Sequence, residues 1–238
     1  MAFIFRNAVL FLVLTQIIFS SGEQAFAQED LKTKGLPLII KPGLNGNRGP
    51  VFYLISGDGG WNNFDNTFCE NLSKKGVPVV GLDSKKFFWK PRTPEETTQV
   101  LQQVIDFYNK KFNRDSFVLA GYSFGADIVP FIVTKFPPDF RKKLSEVVLL
   151  SPDRFGDFEI HLTDMLNMGL SKRRYNIVEE VRKINFTSLT CVFGKNEEAV
   201  NINSFKQTGK NIIMLPGDHH YNNNYQTLSD SLLRLILH

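Results

Sequence analysis

Cysteine is scarce. Cys69 and Cys191 are the only two among 238 residues, so at most one intrachain disulfide can form, and the sequence leaves open whether they pair. No HExxH motif and no Cys/His spacing of a metal site is present, and the adjacent His219 and His220 do not supply one. No Gly-Lys-Ser/Thr follows the glycine-rich stretch near residue 58, which excludes a Walker A loop. No cofactor or metal is therefore expected. Dense basic clusters are lacking too. The densest stretch is Lys172-Arg173-Arg174, too sparse for a nucleic-acid face. There is no internal repeat, no low-complexity segment and no apolar run near the roughly 18 residues a membrane-spanning helix requires.

What is present fits a globular domain. Hydrophobic residues make up 42% and charged residues 22%, which excludes disordered, collagen-like and coiled-coil classes. Phe is abundant at 22 residues and reads as core filler. Net charge is +4, which suits solubility and also suits work beside an anionic lipid surface.

Residues 1–27 read as a signal peptide. Arg6 gives the basic start, Ala8 to Phe19 is an apolar run of 12, and Ala25-Phe26-Ala27 matches a small-x-small cleavage pattern. Cleavage after Gly22 is the alternative. The expectation is a periplasmic protein whose mature part, residues 28–238, forms one domain. Oligomeric state is not legible.

Short apolar runs alternate with amphipathic ones. Strands are predicted at Leu36–Ile40, Val51–Ser56, Val77–Leu82, Ser116–Ala120, Glu146–Leu150, Leu189–Phe193 and Asn211–Leu215. Helices are predicted at Asn63–Lys75, from Thr93 to about Phe112, at Phe124–Phe136 and at Tyr225–Leu237. Thr93 can cap the second, with Pro94 in its first turn and Glu95 and Glu96 opposing its dipole. Phe158, Ile160 and Leu162 alternate like an extra strand within a less regular segment, 153–186, that could form a lid. The pattern predicts an α/β fold: a mostly parallel central sheet with helices on both faces, in three α/β/α layers.

One constellation carries chemistry. Gly121-Tyr122-Ser123-Phe124-Gly125 lies between a predicted strand and a predicted helix, the context of a nucleophile elbow. Small residues must flank Ser123 because the turn is tight. Its hydroxyl needs a base, and Pro216-Gly217-Asp218-His219-His220 follows the last strand. His219 is chosen because Gly217 stands two places before it, leaving His220 as a substrate-side or structural neighbour. His161 reads as a packed side chain. The orienting acid is expected after the penultimate strand: Glu197 first, then Glu198, with Asp153 third. The oxyanion donors are expected to be the N–H of Phe124 and, from the glycine-rich loop Ser56 to Trp61, the N–H of Asp58.

These residues carry a resemblance. Ser56-Gly57-Asp58-Gly59-Gly60-Trp61, Phe88-Trp89 with Thr93-Pro94-Glu95, Gly121 to Asp127, Phe158-Glu159-Ile160-His161 and Pro216 to His220 follow one another in the order of the VirJ/AcvB family of bacterial virulence proteins. The sequence resembles that family over roughly residues 36–238. The resemblance implies an exported α/β-hydrolase that meets an aminoacylated phospholipid headgroup at a membrane surface. It also implies release of the amino acid, lysine above all, from phosphatidylglycerol. Two departures stand out: no Cys follows Glu197-Glu198, and Asp218 stands where a Gly is expected. Because such a substrate carries an ammonium beside its ester carbonyl, a carboxylate is expected near it, from Asp58 or Asp127; Trp61 and His220 are also expected at the substrate, with Asp83 and Trp89 shaping the same region. The alternatives are a general carboxylesterase or thioesterase and a non-catalytic envelope or secretion-associated binding protein.

Overall fold

A computed structural model of the chain describes residues 35–44, 49–160 and 174–237. The predicted signal peptide, His161, Leu162 and His238 lie outside these residues.

The strands are β1 (Leu38–Lys41), β2 (Val51–Ile55), β3 (Val79–Leu82), β4 (Phe117–Tyr122), β5 (Leu144–Leu150), β6 (Phe155–Gly156), β7 (Tyr175–Asn176), β8 (Ser188–Gly194) and β9 (Asn211–Leu215). Seven of them form one sheet in the order β1-β3-β2-β4-β5-β8-β9. All its pairings are parallel except β1 with β3. The helices are α1 (Asn63–Lys74), α2 (Ser84–Phe87), α3 (Pro94–Lys111), α4 (Phe124–Val133), α5 (Pro138–Arg141), α6 (Ile177–Arg182), α7 (Ala199–Lys206) and α8 (Tyr225–Ile236).

Alternation along the strands explains the layers. Phe52, Leu54, Val118, Ala120, Val148 and Leu150 point to one face, where they pack with Phe64, Phe68 and Leu72 of α1 and Leu228 and Leu232 of α8. The intervening residues face the other side. There the Tyr53 hydroxyl donates to Asn109 Oδ1 of α3 at 2.9 Å. Both faces are thus covered, as strands rich in Val, Leu and Phe require.

The local signals act as the sequence suggests. Thr93 caps α3 in a reciprocal box with Glu96, and Pro94 opens the helix. Asn62 and Asp65 do the same for α1. Two expectations need correction, and one open question is answered. The predicted helix to Phe136 ends at Val133, three residues past Pro130. Phe158 and Ile160 lie in no strand; the strand pair there is the two-residue ladder of β6 with β7, because Phe158 turns inward among Phe88, Phe131 and Tyr175. Cys69 and Cys191 are free and fully buried, and burial pushes both thiols up, away from reactivity.

Candidate active site

Parallel strands end together, and their C-terminal edge gathers the chemistry. β2 delivers the loop from Ser56, β4 delivers Ser123, β5 delivers Ser151, β8 leads to Glu197 and β9 leads to His219.

Ser123 caps α4 at φ 51°, ψ −117°, a backbone that a non-glycine residue adopts only when held there. The holding is visible on both sides. A Cβ on Gly121 would stand 2.2 Å from the Gly125 backbone, and one on Gly125 would stand 2.1 Å from the Ile55 carbonyl oxygen. Only glycine fits either place. The Ser123 N–H donates to the Leu150 carbonyl at 2.9 Å, pinning the turn to β5.

The hydroxyl so raised meets an imidazole from far along the chain. Ser123 Oγ lies 3.0 Å from His219 Nε2. His219 Nδ1 lies 3.4 Å from Glu197 Oε2. A carboxylate only accepts, so Nδ1 carries the proton and Nε2 of the neutral ring accepts from Ser123. Glu197 is itself fixed. Its Oε1 accepts from the Gly194 N–H at 2.5 Å and from the Ser151 hydroxyl at 2.8 Å, leaving Oε2 for the imidazole. Behind Ser151 stands Tyr221, with its hydroxyl 2.7 Å from Ser151 Oγ and 3.1 Å from the Val192 carbonyl oxygen. Burial holds the Tyr221 phenol well above its ordinary value, so it stays a donor.

The loop carrying His219 is held from beneath as well. Asp218 accepts from the His220 N–H at 2.9 Å, and that bond holds the Asp218 carboxyl below the usual range. An aspartate therefore shapes this turn with a side-chain bond that glycine could not make. The Tyr122 hydroxyl lies 2.6 Å from His220 Nδ1 and 3.3 Å from the His219 carbonyl oxygen.

A model of the bacterial virulence protein VirJ family matches residues 50–238. The chain belongs to this family. No match was found among the curated proteins. Solved structures similar to this VirJ-family chain are esterases and other hydrolases. Est1E from Butyrivibrio proteoclasticus is 18% identical, with TM-score 0.58 over 84% of this chain and 93% of that one. An esterase domain from a Rhodothermus marinus protein is 13% identical, with TM-score 0.58 over 84% and 93%. A thioesterase domain from the curacin biosynthetic pathway is 14% identical, with TM-score 0.56 over 82% and 94%. The VirJ-family chain thus has the α/β-hydrolase fold.

Ser123, Phe124, Glu197 and His219 line an open cleft of about 470 Å³. Eight of its sixteen described lining residues are Asp or Glu, and none is Lys or Arg. Asp58, Asp127, Asp153, Glu198 and Asp218 are among them; Asp157, also there, pairs with Arg174 at 3.2 Å. Carboxylates are thus concentrated among the cleft's described lining residues in a chain of net positive charge.

Each expected site residue can now be placed. The Phe124 N–H opens α4, where no intrahelical acceptor exists. Asp58 lines the cleft, and its loop presses on the turn: a Cβ on Gly57 would lie 3.6 Å from Ser123 Cβ. Asp127 lines the cleft and accepts from the Asp153 N–H at 2.7 Å. Asp153 and Glu198, the alternative acids, line the cleft, but it is Glu197 that bonds His219. Four placements differ from what was expected at the substrate. Trp61 lies against the Gly81 backbone and the core beneath, not in the cleft. His220 is turned to Tyr122 and is not among the cleft's described lining residues, which fits the structural rather than the substrate-side alternative. Asp83 caps α2, bonding the Lys86 N–H and pairing with its ammonium, and Trp89 stands in solvent. Ser151, Tyr221 and Tyr122 were not expected at all. The signal for Tyr221 was its adjacency to the two histidines; Ser151, at φ 51°, had none.

Proposed function

We propose that this protein is a serine ester hydrolase that removes the amino acid, lysine above all, from aminoacylated phosphatidylglycerol. We further propose that it acts in the periplasm after loss of residues 1–27. One observation carries the reading: an aligned Ser123, His219 and Glu197 opening into a cleft lined half by carboxylates. A hydroxyl so activated attacks carbonyl carbon, and a carboxylate-rich cleft favours a substrate whose acyl part bears an ammonium.

The steps follow from the geometry. Ser123 Oγ attacks the ester carbonyl while its proton passes to His219 Nε2. The carbonyl oxygen becomes an oxyanion, met by the Phe124 and Asp58 N–H groups; one such donor is typically worth about 3 kcal/mol. Glu197 stabilises the imidazolium. The tetrahedral centre collapses, the C–O bond to glycerol breaks, and His219 returns the proton to the departing alkoxide. Water, deprotonated by His219, then attacks the aminoacyl-Ser123 ester. The free amino acid leaves, and Ser123 regains its proton. Asp127 and Asp58 carry the charge that pairs with the ammonium.

Incubation with lysyl-phosphatidylglycerol vesicles followed by lipid analysis tests the reading. Lysine release is expected, and Ser123→Ala is expected to lower it about 10⁴-fold or more with folding intact. Retained release in that variant would remove Ser123 from the mechanism.

A second reading, a general carboxylesterase or thioesterase, draws on the titles of the structural neighbours. A panel of esters separates the two, since faster turnover of uncharged short acyl esters than of aminoacyl esters would favour the second. Failure of a fluorophosphonate to label Ser123 in the folded protein would favour a binding role instead.

A further inference from the structure

β2 and β3 are parallel neighbours, with Ile55 opposite Leu82. The residues just past their ends, Ser56 and Ser84, therefore meet at the C-terminal edge of the sheet, and both are fully buried. The Ser56 N–H donates to the Leu82 carbonyl at 3.1 Å, which ties the start of the loop to β3. Ser84 opens α2, where its N–H has no partner within the helix. Ser56 Oγ supplies one, accepting that N–H at 3.0 Å. The two hydroxyls lie 3.0 Å apart, and the Ser84 hydroxyl also reaches the Gly57 carbonyl oxygen. A carbonyl only accepts, so the Ser84 proton goes to Gly57 and the Ser56 proton goes to Ser84.

The Gly57 carbonyl is thereby fixed from inside the protein. It accepts from the Ser84 hydroxyl and from the Gly60 N–H, the latter at 3.0 Å, which occupies both its lone pairs. A trans peptide is planar, and its N–H points opposite to its C=O. The N–H on this plane belongs to Asp58, so it points away from the buried serines. The plane stands beside the nucleophile: a Cβ on Gly57 would lie 3.6 Å from Ser123 Cβ, and Asp58 lines the cleft with Ser123 and Phe124. The Gly59 N–H donates to Asp58 Oδ1 at 2.8 Å and the Gly60 N–H to Gly57, while the Asp58 N–H has no acceptor among the described residues.

We propose that Ser84 is a positioning residue that holds the Asp58 N–H in place as an oxyanion donor. The inference rests on the serine-hydrolase reading and adds to it the group that keeps the donor aimed. Turning the Gly57–Asp58 peptide over would bring a carbonyl oxygen to the developing negative charge. It would also leave the Ser84 hydroxyl and the Gly60 N–H buried without an acceptor, which a folded protein avoids. A donor fixed in this way needs no reorganisation at the moment of reaction. Ser84 itself is not among the cleft's described lining residues and acts only through the peptide.

The test is the rate constant for fluorophosphonate labelling of Ser123 in the full chain. Ser123 Oγ displaces fluoride, and the phosphoryl oxygen takes the place of the ester oxyanion. Ser84→Ala is expected to lower this rate constant, and kcat for a soluble aminoacyl ester, about ten-fold or more with KM unchanged, short of the effect of deleting a donor outright. Ser56→Ala breaks its own bonds to Ser84 but leaves the Ser84 hydroxyl on Gly57. It is expected to cost similar stability and to slow labelling far less. Ser84→Cys, close in size with a weak S–H donor, is expected to fall between Ser84→Ala and the parent, and it carries the comparison if Ser84→Ala does not fold. A role confined to packing would lower the stability of both alanine variants and change the rate constant of the folded protein in neither. Equal labelling of the Ser84 variant and its parent, or an equal loss in Ser56→Ala, overturns the positioning role and leaves the hydrolase standing. No labelling of the parent overturns the hydrolase reading and the role with it. The expected loss in a protein that releases no lysine from lipid overturns the substrate alone.

Discussion

Ser123 sits at φ 51°, ψ −117° because neighbouring strands hold it there, and the strain can be measured. Ser123→Gly is expected to abolish turnover and to raise stability by about 1 kcal/mol in denaturant titration, since glycine adopts this backbone freely. Tyr221 offers a second residue-scale test. Its hydroxyl reaches His219 only through Ser151 and Glu197, which makes it a positioning residue. Tyr221→Phe is expected to cost about 1–2 kcal/mol of stability. It is also expected to lower kcat several-fold with KM unchanged. A role confined to packing would lower Tm and leave the kcat of the folded fraction alone. Residues at this scale were unevenly legible. Ser123, His219 and Glu197 stand in short patterns that their chemistry demands. Trp61 was misplaced because an aromatic beside a glycine-rich loop resembles a substrate platform equally well when it packs on a strand, as it does on Gly81.

At the scale of elements, the β4–α4 turn depends on two absent side chains. Gly125→Ala places a methyl 2.1 Å from the Ile55 carbonyl oxygen, where no flexible group can yield. A loss of about 3 kcal/mol or more is expected by thermal or chemical unfolding, or no folded product. Helix α1 carries a different tension. Asp65 completes its capping box, yet burial raises the Asp65 carboxyl to about 7 and leaves its Oδ1 without a partner. A carboxyl raised in the folded state binds its proton more tightly there than in the unfolded chain, so its contribution to stability falls as pH rises from about 4 to about 7. Asp65→Asn keeps an acceptor for the cap and discards the charge. It is expected to raise stability above pH 7 and to flatten the profile across that window, as read by denaturant midpoints. Elements were legible where patterns ran long or caps were strong, as at Thr93. The four-residue helices α2 and α5 and the paired dipeptides of β6 and β7 were not, because so few residues carry no periodicity and tertiary contacts decide them.

Across the whole molecule the net charge of +4 conceals an uneven distribution. Asp and Glu make up half of the cleft's described lining, a concentration that composition averages away and that only folding reveals. If the cleft attracts its substrate through these carboxylates, the preference for cationic over uncharged esters should shrink as salt rises from about 0.1 M toward 1 M, where screening acts within about 3 Å. Competition kinetics at two salt concentrations would measure it. The layered fold itself was legible, since alternating strand and helix patterns admit few arrangements. The carboxylate-rich cleft was not, because Asp58, Asp127, Asp153, Glu198 and Asp218 are scattered along the chain and meet only when the strands align.

His219 follows Ser123 by 96 positions, and the two meet only when β9 has joined the edge of the sheet. A growing polypeptide therefore carries its nucleophile for most of its synthesis without the means to use it. Truncation anywhere before residue 219 removes that imidazole together with Tyr221, Leu228 and Leu232 of the core. The cell that makes such a chain is shielded from it until the last strand docks.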